Sequence, residues 1–174
     1  MARKLIITVD GPAGVGKSSV SKALSQKISY VYLDTGALYR AVAYKVAESG
    51  ISADDREAIS EFCQNIDISL QRDDAGMKIL ANGDDITDRI RTEEIGILAS
   101  TVSTIPMVRK KLLPIQRKAG SGGGIIAEGR DMGTVVFPDA DVKFFINAQI
   151  QERAKRRYLQ LVKRGVEADF EDIK

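Results

Sequence analysis

The chain of 174 residues has no histidine, no tryptophan and one cysteine, Cys63. Without histidine there is no imidazole to carry a proton near neutral pH, and no His-containing metal site. A lone cysteine excludes an intrachain disulfide and any multi-thiolate cluster, and it is compatible with a reducing compartment. Cys63 stands beside Phe62 in a helical pattern and reads as a small core residue, not a nucleophile. Charge of one sign is not in surplus: 26 Lys and Arg face 24 Asp and Glu, a net +2. Such a balance gives no electrostatic reason to bind nucleic acid or a membrane surface, so any basic chemistry must be local. No apolar run reaches the roughly 20 residues that span a bilayer, and no leader-like segment separates the first strand from the loop after it. A cytoplasmic protein without nucleic-acid or membrane partners is expected. Hydrophobic residues at 44% and charged residues at 29% are ordinary globular values, suited to one domain with a proper core.

What is present is local and specific. Gly11-Pro12-Ala13-Gly14-Val15-Gly16-Lys17-Ser18 fits the phosphate-loop pattern G-x-x-x-x-G-K-[ST]. Upstream, Leu5-Ile6-Ile7-Thr8-Val9 is a short apolar run of the kind buried on both faces of a parallel sheet. Downstream, Val20, Ala23, Leu24 and Ile28 follow the spacing of one buried helix face. Glycines let such a loop turn tightly and aim N–H groups at an anion, and the helix adds its positive dipole end. Lys17 then supplies a cation for the β- and γ-phosphates of ATP, and Ser18 a hydroxyl for Mg²⁺.

Further on, Tyr30-Val31-Tyr32-Leu33 reads as a second strand, followed by a helix carrying Leu38, Val42 and Val46 and ending near Gly50. Asp54 and Asp55 open another helix, with Ile59, Phe62, Cys63 and Ile66 inward. The period then changes to two at Ile66-Asp67-Ile68-Ser69-Leu70. Lys78-Ile79-Leu80-Ala81 follows after the turn residues Asp73-Asp74-Ala75-Gly76, and Asn82-Gly83-Asp84 is a further turn. These stretches predict a small antiparallel insert. Helical spacing returns from Thr92 through Ile95, Leu98, Ala99 and Val102. It restarts at Pro106, with Val108, Leu112 and Ile115 inward. Ile125-Ile126-Ala127-Glu128 and Val142-Lys143-Phe144-Phe145-Ile146 complete the set as two more buried strands. Asn147 is placed to cap a last helix that turns Ile150, Ala154, Tyr158 and Leu161 inward. Strands alternating with helices predict an α/β fold, a doubly wound parallel sheet with its site at the strand C-terminal ends.

Three clusters fall at those ends: the phosphate loop, Asp34-Thr35-Gly36-Ala37-Leu38-Tyr39-Arg40, and Glu128-Gly129-Arg130-Asp131-Met132-Gly133. Arg40 and Arg130 can face a second anion opposite the loop, since planar guanidinium groups suit bidentate phosphate recognition. Transfer between two phosphates needs no general base, because the acceptor is already an anionic nucleophile.

Together with Ile90-Arg91-Thr92-Glu93-Glu94 and the run from Gly129 to Pro138, Gly-Arg-Asp-Met-Gly-Thr-Val-Val-Phe-Pro, these motifs resemble bacterial cytidylate kinase, the CMP kinase family. The likeness runs from the first strand to the last helix. It implies a single P-loop kinase domain over residues 1–174, with residues 66–90 as the approximate core of the inserted acceptor-binding element. The implied reaction moves the γ-phosphate of ATP to CMP or dCMP with Mg²⁺, in a protein expected to be a monomer. Lys17 and Arg130 become the catalytic residues, Gly11 to Ser18 with Ser19 and Arg157 the ATP site, and Ser18 the metal ligand. Thr35, Tyr39, Arg40, Ser100, Arg109, Arg130 and Asp131 become the CMP site, in which Ser100, Arg109 and Asp131 read the cytosine edge. A carboxylate accepts from the C4 amino group of cytosine, whereas the C4 carbonyl of uracil would repel it. Arg153, Arg156, Arg157 and Arg164 are placed to reach ATP phosphates from the last helix, and Glu128 to orient Mg²⁺ waters. The family continues past Phe170-Glu171-Asp172-Ile173-Lys174 with a lid segment, a strand and a helix. The resemblance therefore implies that this sequence stops short of them, with weaker closure over the two substrates. The other readings are a kinase for shikimate, dTMP or AMP, and a non-catalytic ATP-sensing switch. Asp131 and the insert disfavour the former, and Arg40 and Arg130 the latter.

Overall fold

The computed structural model describes residues 3–73, 76–163 and 165–174. Two sheets organise them. The main sheet has four parallel strands in the order β2 (Val31–Asp34), β6 (Ile125–Gly129), β1 (Ile6–Asp10), β7 (Val142–Phe145). The small sheet is antiparallel, β3 (Ile68–Asp73), β4 (Gly76–Ala81) and β5 (Asp84–Asp85). The expected doubly wound α/β framework and its β insert are both present. Asp74 and Ala75 of the expected turn lie outside the described residues.

Alternation along the central strands sends side chains to opposite faces. Leu33, Ile125 and Ala127 pack on one side with Met132, Val136 and Phe137. Ile7, Val9 and Ile126 pack on the other, against half-buried Leu24 of α1 (Lys17–Ile28). The largest core joins α2 (Thr35–Glu48), α3 (Arg56–Asn65), α4 (Glu93–Val102) and α5 (Pro106–Gly120) to the insert, through Leu38, Val42, Ile59, Cys63, Ile79, Val108 and Leu112. Burial pushes the Cys63 thiol up to about 11, as befits an inert core residue. Asp55 opens α3 as the sequence predicts, its side chain accepting from Ala58 N–H, and the side chains of Asp34 and Thr92 cap α2 and α4 in the same way, accepting from Ala37 and Ile95 N–H.

Four expectations are corrected. The predicted buried face of α1 is not the buried one. Val20 and Ile28 are exposed, and Ser21 and Ser25 face inward. Short side chains let the helix lie close over β6 and β2, and that packing overrides the apolar pattern. The strand at Val142–Phe145 is an edge, not a buried strand: beyond Val142 its residues are exposed, Phe145 at 71%. At the start of α6 (Ile150–Lys163), Ile150 is exposed while Ala154 and Leu161 are buried. The Asn147 carboxamide accepts from Ala148 N–H, two residues short of that helix. The last element is a single turn, α7 (Phe170–Ile173), whose Phe170 meets Tyr158 edge-on at 6.3 Å between ring centroids.

Candidate active site

Register sets the site. β1 pairs with β6 so that Asp10 lies opposite Gly129, and β2 pairs with β6 so that Asp34 lies opposite Glu128. Three strand ends therefore finish side by side, and the three clusters leave them together, as expected of a parallel sheet.

The loop from Gly11 to Gly16 turns on glycines with φ of +146°, +76° and +93° at Gly11, Gly14 and Gly16. At Gly11 a Cβ would collide with the Ile146 carbonyl, so glycine is required there by space as well as by backbone angle. Among the described residues, no backbone N–H from Gly14 to Ser18 donates to a protein acceptor, so these donors stay open to an anion at the start of α1. Lys17 Nζ donates to Pro12 O at 2.8 Å. Burial, then the Arg130 guanidinium, hold the Lys17 ammonium below its ordinary pKa. Ser18 Oγ donates to Glu128 Oε1 at 2.7 Å.

Glu128 is the unusual group here. It is 6% exposed, and its Oε2 has no hydrogen-bond partner among the described residues. Burial raises its pKa, with the nearby Asp34 carboxylate adding to the rise against the Ser18 hydrogen bond. The Tyr32 hydroxyl lies beside Ser18 and Glu128, itself without a hydrogen bond of normal geometry.

A cleft of about 350 Å³ opens in front of these groups. It brings together Lys17, Ser18, Thr35, Tyr39, Arg40, Ser100, Arg109, Arg130 and Asp131. Thr35 is buried, and its hydroxyl donates to Glu128 O at 2.6 Å. Arg40 Nη1 donates to the carbonyls of Ile90 and Thr92 at 3.3 and 3.1 Å. Arg130 donates to Gly11 O, at the mouth of the loop. Arg109 pairs with Asp131 and sits 6.0 Å from the centre of the Tyr39 ring. Ser100 Oγ donates weakly to Gly96 O at 3.3 Å. Five cations line the cleft, Lys17, Arg40, Arg91, Arg109 and Arg130, against three carboxylates, Asp34, Glu128 and Asp131. Two of the carboxylates are taken, Asp34 by Arg91 at 2.9 Å and Asp131 by Arg109. Lys17, Arg40 and Arg130 have no ion pair among the described residues, which leaves three positive charges turned on one space.

A second cleft of about 430 Å³ adjoins the first and shares Arg40, Ser100 and Arg130 with it, bounded by Ala13 and Gly14 of the loop and by α6. Arg157 lines it and pairs with Glu93 of α4. Two arginines expected to reach for phosphate donate to loop carbonyls. Arg153 Nε donates to Ala13 O at 2.8 Å and Arg156 Nη1 to Val15 O at 2.9 Å. Arg164 lies outside the described residues.

Sequence reasoning missed three contacts because each joins distant segments: the Asp34–Arg91 pair, the Arg157–Glu93 pair, and the buried Asp10 carboxylate. A polar residue at the end of an otherwise apolar strand was the one signal for Asp10.

A parallel sheet whose first strand runs through a glycine loop into a helix, with charged side chains on the adjoining strand ends, belongs to the P-loop α/β class. A family profile described as cytidylate kinase matches residues 7–174. A cytidylate kinase of Geobacter sp. (strain M21) is 51% identical over 168 residues, 97% of this chain and 72% of that protein. Those of Syntrophotalea carbinolica and Pasteurella multocida are 48% and 44% identical, over 98% and 99% of this chain and 73% and 76% of their own lengths. The chain belongs to the cytidylate kinase family.

Proposed function

We propose that the protein transfers the γ-phosphate of ATP to CMP or dCMP, giving CDP or dCDP and ADP. An oxygen of the acceptor phosphate forms the new P–O bond, the bond between the γ-phosphorus and the β–γ bridging oxygen breaks, and its electrons leave with ADP. The observation that carries this reading is the set of three cations without carboxylate partners, Lys17, Arg40 and Arg130, on one cleft that the phosphate loop enters through Lys17 and Ser18. A non-catalytic switch needs one anion site, whereas cations on both sides of a cleft serve two.

In this reading Gly11 to Ser19 hold the ATP phosphates, and Lys17 neutralises charge as it spreads over the transferring group. Arg157 exchanges Glu93 for a phosphate oxygen. Arg40 and Arg130 hold the acceptor phosphate with Thr35, and Tyr39 forms the wall of its pocket. Ser100, Arg109 and Asp131 face the cytosine edge. The Arg109–Asp131 pair suits this task, since guanidinium and carboxylate satisfy one another's hydrogen-bonding groups and can trade one another for the base. Ser18 and Glu128 fit a magnesium ion, because a buried carboxylate oxygen without a partner beside a hydroxyl is a costly arrangement that a cation relieves. Mg²⁺ bound with ATP supplies charge neutralisation at the phosphates. Residues 66–90 form the core of the acceptor-binding insert within one domain. No helix among the described residues is long and apolar enough to cross a membrane, and we place the protein in the cytoplasm as a monomer.

The test is a panel of CMP, dCMP, UMP, AMP and dTMP with Mg-ATP, scored for ADP formation. Turnover led by CMP or dCMP supports the reading. A lead for AMP or dTMP would move the chain to another acceptor.

A further inference from the structure

Asp10 ends β1 as a buried carboxylate, 7% exposed, and it makes no ion pair among the described residues. Its oxygens each accept one backbone N–H: Met132 N to Oδ1 at 2.8 Å and Gly133 N to Oδ2 at 2.8 Å. Those two amides begin the single π-type turn Met132–Val136. Directly before it stand Arg130 and Asp131. On their other side, Gly129 is the ladder partner of Asp10. One residue therefore brackets the two-residue segment from both ends. The Arg130 guanidinium adds a third tie, to the carbonyl of Gly11, the residue after Asp10. The far end of the turn is held separately, by Arg117 donating to the carbonyls of Val135 and Val136 at 2.9 and 3.1 Å.

Between these ties the segment has no regular structure of its own. Asp131 sits at φ −142° and ψ 28°, in neither a helix nor a strand. Crowding leaves little slack: a Cβ on Gly133 would stand 2.8 Å from Thr8 Oγ1, and one on Gly129 would stand 2.7 Å from Thr35 Oγ1. A two-pronged acceptor that meets two successive N–H groups fixes both the height and the rotation of the turn. A single-pronged acceptor would fix only the height.

We infer that Asp10 is a positioning residue for the acceptor nucleotide: its carboxylate sets the aim of Arg130 at the acceptor phosphate and of Asp131 at the base. The inference rests on the proposed CMP site and adds a residue that touches neither substrate.

Asp10→Asn tests it. The amide keeps the shape and one acceptor, but turns an NH₂ group toward a second N–H, donor against donor, so the turn must rotate. In the folded variant the Kd for CMP by calorimetry should rise at least about tenfold and the preference for CMP over UMP should fall, while the Kd for ATP stays within about threefold. Loss of thermal stability with unchanged CMP affinity and unchanged base preference would show a structural residue only, and overturn the inference. A parent protein that binds ATP but no CMP would instead overturn the proposed function, so the two failures are distinguishable. If Asp10→Asn does not fold, hydrogen exchange on the parent decides. Slow exchange at the Met132 and Gly133 amides, in the absence of nucleotide, is required, and fast exchange at either would contradict the clamp.

Discussion

Glu128→Gln separates what the site needs from what the fold needs. Glu128 is 6% exposed, one oxygen is satisfied by Ser18 at 2.7 Å, and the other has no partner. An unsatisfied buried acceptor costs about 1–3 kcal/mol, more when charged. Glutamine keeps the oxygen facing Ser18 and brings an N–H₂ group toward the neighbouring Tyr32 hydroxyl, so most of that penalty is relieved. The nucleotide-free variant should be more stable at pH 7 by about 1 kcal/mol, a rise in Tm of about 2–4 °C for a domain of this size. The direction with pH follows from the raised pKa. Below the unfolded value of 4.5 the carboxyl is protonated in both states, and the penalty vanishes. As pH rises, the unfolded chain releases its proton first, and the folded parent loses stability progressively until its own carboxyl has ionised. The gap between variant and parent should thus open from acid to neutral pH in thermal melts. With Mg-ATP the order should reverse, since the parent alone gains the cation contact, and activity of the variant should fall about 10–100-fold. A variant several degrees less stable than the parent at pH 7 without magnesium, with a gap that does not narrow in acid, would refute the reasoning.

Lys17→Ala should abolish ATP binding by calorimetry without lowering Tm, because the ammonium is held below its ordinary pKa mainly by burial and so costs the empty fold stability. Arg130→Ala should reduce kcat/KM for CMP by about 10³–10⁵, with part of the loss in acceptor binding. Steady-state kinetics with CMP varied at fixed ATP separates the two parts. Asp131→Asn should erode the preference for CMP over UMP, since an amide can also donate to uracil O4. Unchanged selectivity in that variant would remove Asp131 from base reading.

What could be read from the sequence was what is local. The phosphate loop, the helix opened at Asp55, and the Leu38, Val42, Val46 stripe each depend on neighbours within about one or two helical turns, and each stands where the spacing put it. Periodicity failed at α1 because closeness to the sheet, not hydrophobicity, chooses which face turns inward, and serine is small enough to be chosen. It failed at Phe144 and Phe145 because a parallel strand reads alike at the centre and at the edge until its neighbours are known. The clamp at Asp10 joins residues 122 and 123 positions apart. Its place at the end of an apolar strand is the one local signal, and that signal does not say which distant amides the carboxylate meets. The site residues gathered in the cleft came from motifs at strand ends, but Ser100 and Arg109 came from family resemblance alone, as the helices carrying them show no unusual spacing.

The central claim is direct transfer between two phosphates across one cleft, and label transfer tests it most directly. The protein is incubated with ATP labelled in its γ-phosphate, Mg²⁺ and CMP, and the products are separated. The account predicts that the label appears in the β-phosphate of CDP, in excess of label released as inorganic phosphate, and that folded Lys17→Ala forms none. Label found only as inorganic phosphate, or retained wholly in ATP while nucleotide binding is intact, would contradict it.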